Sequence, residues 1–453
     1  MSGKELIYAV MRHEKTDAIP WVPFVGVHGG KIIGKDATEM LTSADNLAKG
    51  VIEAARLYSA DGIPVLFDLQ IEAEILGCEL VWAKSGPPSV KTHPLEDSDE
   101  VPCKCKVPNK NSGRIPMVLE TIARVKKEIG DTTALYGLIC GPFTLASHLR
   151  GNNIFMDMFD DEEYVEELLD YCVEVAKTMA KIYIDAGVDV IAVVDPLVSQ
   201  ISPDHFEQFL HVPFTELFAA IRARKAFSSF FVCGNATRNI EEMCKTGPDG
   251  ISVDENVNMV SAKEITDRYN IVIGGNIPLT TVMLHGSQQE NMKCVVDLID
   301  SMSHDNLIIS PGCDMPFDVP LENTIAAAQA VHNTENVRKM VENYEAPKDD
   351  IEVELPDYAA LTKPLIEVCT LDSDTCAACT YMMGAANEIK EYFGDKIDVV
   401  EYKYIYKEDI ARFVKIGVAQ LPSIYINGEL AYSSIIPNKA DFIKRVEQVL
   451  ERK

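Results

Sequence analysis

Eight short apolar runs in the first three-quarters of the chain each stop on a polar or chemically reactive group. WVPFVGV runs into His28, GIPVLFD ends on Asp68, ALYGLIC on Cys140 and DVIAVVD on Asp195. SFFVC ends on Cys233, GISVD on Asp254, IVIGGN on Asn276 and LIISPGC on Cys313. Amphipathic stretches of helical length lie between them. Runs this short, apolar on both faces and alternating with helices, read as buried parallel strands, and eight of them predict a (β/α)8 TIM barrel. In that fold the groups at the strand ends gather at one mouth, so Cys233 and Cys313 become its most reactive candidates.

The chain has 453 residues, more than one barrel needs, and the pattern breaks near residue 346. We read residues 1–345 as the barrel. Residues 346–362 read as a linker, acidic and holding two prolines over 346–358. Residues 363–453 read as a small α/β domain in the order βαβαββα. Its strands are expected at 364–370, 396–404, 422–428 and 429–435, and its helices at 376–393, 407–416 and 438–451.

A net charge of −28 repels phosphate and argues against nucleic acid and anionic membrane partners. No run approaches the length of a membrane helix, and the first residues, MSGKELIYAVMRHEK, lack the apolar core of a leader. A cytoplasmic location is therefore expected. There the twelve cysteines act as thiols, ligands and redox groups, not as a disulfide framework.

Two thiolates at a barrel mouth suit zinc, which needs further donors and, for catalysis, one open position. A carboxylate is the expected third ligand, with Asp68, Glu72, Glu74, Asp195 and Asp254 all near the mouth. An insertion over roughly 69–115 carries a Cys103-Lys104-Cys105 triplet, read as two loop thiols. His28, at the end of the first run, and Asp195 are candidate substrate or cofactor contacts. Asn276 is a third, and also a residue that orders a loop. Cys140 and His148 read as packing residues.

In the second domain Cys376-Ala377-Ala378-Cys379 follows a strand and opens a helix. A helix N-terminus stabilises a thiolate, so Cys376 is expected to be the exposed nucleophile and Cys379 the buried resolving thiol.

Several segments in register carry a family resemblance over almost all of residues 1–345: DAIPWVP (17–23), FDLQIEAEILG (67–77), GPFTLASHL (141–149), and Asp195-Pro196 leading into ISPDHFEQF (201–209). CGN (233–235), DGISVDE (249–255), GGNIP (274–278) and PGC (311–313) complete the set. The barrel resembles the uroporphyrinogen decarboxylase superfamily, particularly its corrinoid-dependent methyltransferase branch. That resemblance implies a methyl group moved between a corrinoid, methylcobalamin in kind, and a small thiol or other donor or acceptor. No Asp-x-His-x-x-Gly corrinoid motif occurs, so a separate corrinoid protein is the expected partner.

The branch binds zinc through His-x-Cys and a distant Cys. Cys233 and Cys313 fall on the cysteine positions and Phe231 on the histidine position, so Glu72 or Asp254 would have to substitute. Asp68 matches the central aspartate of the decarboxylase, and Cys313 falls where that enzyme carries histidine. Its arginine-rich opening is replaced by GVHGGK (26–31), which leaves decarboxylation as the alternative activity. A non-enzymatic barrel scaffold is the third reading.

The C-terminal domain resembles thioredoxin-like domains, with Pro422 at their cis-proline position and the CxxC pair acting on a thiol or disulfide partner. That pair is expected either to keep Cys233 and Cys313 reduced or to act on an external thiol.

Overall fold

The computed structural model describes residues 1–346, 351–374 and 376–451, and divides the chain into two compact units with a boundary after Ala346. The first unit is built on a curled sheet of seven strands, each hydrogen-bonded in parallel to the next in chain order. They are β1 (Gly62–Pro64), β2 (Ala134–Cys140), β3 (Val190–Val194), β4 (Phe227–Val232), β5 (Gly250–Val253), β6 (Val272–Ile277) and β7 (Leu307–Pro311).

The first apolar run supplies the missing position as a bridge, not a strand. Trp21 pairs in parallel with Ile309. On one side the Val22 amide donates to the Ile309 carbonyl (3.0 Å) and the Ile309 amide to the Pro20 carbonyl (2.9 Å). On the other, the Asp61 and Gly62 amides donate to the Trp21 carbonyl at 3.0 and 3.4 Å. Residues 20–22 thus join β7 to β1, consistent with a closed (β/α)8 barrel. Pro20 and Pro23 have no amide hydrogen to extend the ladder, which holds this element to one residue pair.

The strands are buried along their length, as a sheet with helices outside and side chains inside requires. Alternate residues point inward: Tyr136 and Leu138 from β2, and Val190, Ala192 and Val194 from β3, meet Val22, Phe24, Phe67, Phe231, Val272 and Ile308 in the barrel interior. The outer helices carry the complementary pattern. Ala44–Leu57, capped by Ser43, buries Leu47, Ala48, Val51, Ala54 and Ala55 on one stripe. The excursion between β1 and β2 holds a short helix (Ile71–Ile75), a small hairpin pairing Leu80–Val81 with Ser89–Val90, and a tight turn at Lys104–Lys106. Cys103 and Cys105 are exposed there.

The second unit has a four-stranded mixed sheet in the order β9-β8-β10-β11. Strand β8 (Leu365–Thr370) pairs in parallel with β9 (Asp398–Lys403) and antiparallel with β10 (Ser423–Ile426), which turns into β11 (Glu429–Ser433). The turn is Asn427-Gly428, both at positive φ (50° and 78°), the backbone a two-residue hairpin needs. Helices Ala377–Phe393, Lys407–Ile416 and Lys439–Glu451 complete the unit, with Met382, Ala386, Ile389, Phe442 and Val446 packed on Ile366, Val368, Ile424 and Ile426.

Part of the expected linker belongs to this unit. Lys415 Nζ donates to the Val353 carbonyl (2.5 Å) and Arg412 Nη2 to that of Glu354 (3.3 Å). The Tyr358 ring lies where a β-carbon on Gly428 would meet it at 2.6 Å. Among the described residues no helix is long and apolar enough to cross a membrane.

Candidate active site

Asp68 stands just past β1 and is buried. Its Oδ1 accepts from the Gln70 amide (2.9 Å) and its Oδ2 from Arg114 Nη1 (2.5 Å). Arg114 also donates through Nε to Glu74 (2.6 Å), lies 4.9 Å from the Trp82 ring centre, and keeps Nη2 buried without a hydrogen-bond partner. One guanidinium is therefore shared by two carboxylates. Arg114 closes the insertion, 46 residues after Asp68, and nothing local in the sequence signals the pairing.

Glu72, on the short helix after Asp68, accepts from the Cys140 amide through Oε1 (3.1 Å). Its Oε2 is buried without a partner, and burial pushes the carboxyl up to about 7. Asp314, immediately after Cys313, accepts from the Gly26 and Met315 amides and keeps Oδ1 buried and unpartnered. Burial, with the Asp68 charge as a smaller cause, holds its carboxyl well above the usual range. The sequence reading passed over Asp314, although its place after the last strand marks it.

Cys233 and Cys313, separated by 80 residues, are joined in a disulfide with a Cα–Cα distance of 5.9 Å, within the ordinary range for such bonds. Both cysteines pack against the apolar cluster of the barrel interior. Phe231 is fully buried with its ring centre 4.7 Å from that of Phe24 and 5.9 Å from that of Phe67.

Other expected site residues are committed elsewhere. His28 is fully buried between the Phe317 carbonyl at Nδ1 (3.0 Å) and the Tyr58 hydroxyl at Nε2 (2.6 Å). A carbonyl can only accept, so Nδ1 carries the proton and Nε2 accepts from Tyr58. Burial lowers the ring's pKa to about 4, so it is neutral and leaves no nitrogen for a ligand. Asp195 accepts from the Phe143 and Thr144 amides (2.9 and 3.0 Å) and the Thr144 hydroxyl (2.6 Å). It thereby caps the helix Pro142–Arg150 from the neighbouring strand. Gly141 permits this approach, since a β-carbon there would collide with the Asp195 carboxylate. Asn276 Nδ2 donates to the carbonyls of Asp254 (3.0 Å) and Val257 (2.7 Å), the loop-ordering role read from sequence. Asp254 accepts from the Asn256 amide (2.8 Å) and from Gly234. Burial pushes both it and the adjacent Glu255 up, Glu255 to about 8.

Residues 2–334 match the family model for uroporphyrinogen decarboxylase (URO-D). The chain belongs to the URO-D family. Among its relatives is the methylcobamide:CoM methyltransferase MtbA of Methanosarcina acetivorans, 27% identical over 73% of this chain and 97% of the relative. MtaA of Methanosarcina barkeri, also named a methylcobamide:CoM methyltransferase, is 30% identical over 66% of this chain and 87% of its own length. A solved methyltransferase from Methanosarcina mazei superposes with a TM-score of 0.68 at 25% identity, covering 74% of this chain and 99% of that one. A uroporphyrinogen decarboxylase from Wolbachia is 25% identical over 65% of this chain and 85% of its own length.

The zinc set implied by the URO-D resemblance does not fit the residues present. A disulfide offers no thiolate, and a phenyl ring stands at the histidine position. Asp254 is taken by Asn256 and Gly234, and Glu72, though its Oε2 has no partner, is not grouped with two further donors among the described residues. Among the described residues no group of three or more His, Cys, Asp or Glu is arranged to hold a metal ion.

The CxxC pair lies beyond the URO-D match. Cys376 is the N-cap of the helix Ala377–Phe393 and is half-buried. Cys379 is fully buried, its Sγ accepting from the Leu371 amide at 3.3 Å. Burial first, then its hydrogen bond to Cys376, holds the Cys379 thiol well above the ordinary range. The peptide Leu421–Pro422 is cis.

Proposed function

We propose that the barrel moves a methyl group between a methylated corrinoid, presented by a separate corrinoid protein, and a small thiol. The observation that carries this reading is the similarity, over 73% of the chain, to a protein named methylcobamide:CoM methyltransferase. In such a transfer the thiolate sulfur bonds to the methyl carbon as the carbon–cobalt bond breaks and leaves its electron pair on cobalt. Asp68, fixed by Arg114, is the proposed positioning carboxylate, and the unpartnered oxygens of Glu72 and Asp314 are the proposed proton carriers for the incoming thiol. Burial raises both carboxyls, Glu72 to about 7, which suits Glu72 to exchanging a proton near neutrality.

Decarboxylation of a porphyrinogen is disfavoured by charge. In the segment matching the arginine-rich opening, Lys31 Nζ donates to the carbonyls of Asp318 (2.9 Å) and Val319 (3.3 Å), and His28 is buried and neutral. Arg114 is already shared by Asp68 and Glu74. Little positive charge is left there to receive several substrate carboxylates.

For the second unit we propose a thioredoxin-like thiol–disulfide module. Its support is the strand-then-helix setting of the CxxC pair, with Cys376 at the helix N-terminus and Cys379 buried behind it.

The test is methyl transfer by the full, thiol-reduced chain. Methylcobalamin should lose its methyl group to coenzyme M or a comparable small thiol, read as the change in corrinoid absorbance. No transfer in either direction across a thiol panel, alongside decarboxylation of uroporphyrinogen, would reverse the assignment.

A further inference from the structure

Where a metal site was expected, the barrel carries a disulfide, and elsewhere the same chain carries a dithiol. We propose that Cys233 and Cys313 form a reversible disulfide–dithiol couple at the barrel mouth, and that this disulfide is the substrate of the Cys376–Cys379 pair. This goes beyond methyl transfer and does not rest on it.

Three observations converge. First, Cys233 and Cys313 are bonded to each other and neither residue is fully buried. Buried structural cysteines elsewhere in the barrel, Cys140 and Cys172, are fully enclosed, with thiols held well above the ordinary range by burial. Second, among the described residues no group of three or more His, Cys, Asp or Glu is arranged around the pair to hold a metal ion. Both cysteines pack against the apolar cluster of the barrel interior, which includes Phe24, Phe67 and Phe231, whose phenyl rings cannot ligate. Third, the CxxC pair has the division of labour that exchange needs. Cys376 is accessible at a helix N-terminus, and Cys379 is protonated, buried and hydrogen-bonded to it.

The exchange balances as follows. The Cys376 thiolate attacks one sulfur of the Cys233–Cys313 bond. That bond breaks, a mixed disulfide forms, and the other barrel sulfur leaves as a thiolate. The Cys379 thiol gives up its proton to that leaving thiolate and attacks the Cys376 sulfur, which releases the second barrel thiolate. Two electrons pass to the barrel, and the second unit is left as a Cys376–Cys379 disulfide. An external dithiol reductant, a protein dithiol or dithiothreitol, returns it to the starting state. The donor pair can belong to the same chain or to a second copy.

The experiment uses the full chain. Cys379→Ser, mildly oxidised and then incubated without added thiol, should accumulate a mixed disulfide linking Cys376 to Cys313 or Cys233, identified by non-reducing peptide mapping. Mixing isotopically light and heavy chains reports whether the link forms within one chain or between two. In parallel, oxidised wild type given limiting dithiothreitol should recover free Cys233 and Cys313, read by differential alkylation, at least tenfold faster than Cys376→Ser. The proposal is overturned if oxidised wild type contains no Cys233–Cys313 peptide, or if that peptide is reduced equally fast in wild type and Cys376→Ser. Links from Cys376 only to other cysteines would overturn it too. The alkylation arm stands if Cys379→Ser fails to fold.

Discussion

Replacing Arg114 by Met should be among the most damaging single changes in the barrel that leave its core packing intact. The Asp68 side chain is fully inaccessible and that of Arg114 is 13% exposed, so the 2.5 Å contact lies out of water. Removing the cation leaves a buried carboxylate uncompensated, which costs about 3–5 kcal/mol. Glu74 is one-third exposed and can turn to solvent, so its loss of partner adds less than about 1 kcal/mol. Asp68→Asn should cost less than Arg114→Met, because Arg114 keeps Glu74 at 2.6 Å. The double variant Asp68→Asn/Arg114→Met should then be more stable than the sum of the singles by at least about 1.5 kcal/mol. The chain's two tryptophans, Trp21 and Trp82, both lie in the barrel, so tryptophan emission during urea unfolding reports that unit alone. Trp21 sits in the bridge that joins β7 to β1. With a urea slope of about 3 kcal/mol per M, Arg114→Met should lower the midpoint by about 1–2 M. Added salt should not restore it, because a buried pair is poorly screened. Strict additivity of the two singles, or a cost below about 1 kcal/mol for Arg114→Met, would refute the reasoning.

Glu72→Gln keeps an acceptor for the Cys140 amide and removes a carboxyl whose folded-state pKa is raised to about 7. A raised carboxyl contributes stability that is complete below its unfolded value of about 4.5 and fades as pH rises through about 7. The variant should therefore match wild type at pH 4.5 and exceed it by about 1–3 kcal/mol at pH 8 in the same urea assay, and a pH-independent difference would contradict the burial argument. Phe231→His should make the thiol-reduced chain bind more zinc than reduced wild type, by metal analysis after dialysis, since it adds a nitrogen donor beside Cys233 and Cys313. Stoichiometric zinc in reduced wild type would mean that a third donor already exists and that the misfit described above is wrong.

The strands were legible because each apolar run ends on a polar group at a predictable place, and β2 to β7 end within a few residues of the expected positions. The C-terminal order βαβαββα was legible for a different reason: Asn427-Gly428, the CxxC at a helix start and Gly417 after a helix are local signals. What sequence could not supply were partners. His28 looks like a ligand at a strand end, yet Tyr58, 30 residues on, takes one of its nitrogens. Asp195 looks like a mouth carboxylate, yet it is consumed by the amides of a helix 50 residues earlier in the chain. Arg114 was invisible because its meaning is the two carboxylates it neutralises. The pairing of Cys233 with Cys313 was anticipated as proximity, but proximity alone does not choose between a shared metal and a shared bond. Phe231, a phenyl ring at the position the family resemblance assigns to histidine, is the one residue in the sequence that bears on that choice.

Decarboxylation and methyl transfer on one barrel differ chiefly in where charge must be neutralised. A polycarboxylate needs cations that are free when it arrives, and here Arg114 serves Asp68 and Glu74 while Lys31 serves two backbone carbonyls. The carboxylates around the strand ends answer the same problem in the opposite sense. Glu72, Asp314 and Glu255 are all raised by burial, Glu72 to about 7 and Glu255 to about 8, so burial favours their neutral, protonated forms. Such a mouth tolerates a thiol that arrives neutral and gives up its proton on site. It repels a substrate that arrives with several fixed negative charges, and the net charge of −28 extends that preference well beyond the mouth. A thiol substrate and a redox-active cysteine pair are then compatible only if the pair is held in a known oxidation state, because a disulfide at the mouth would exchange with any incoming thiolate. The dithiol module proposed for the second unit would meet that requirement at a fixed stoichiometry of one per barrel.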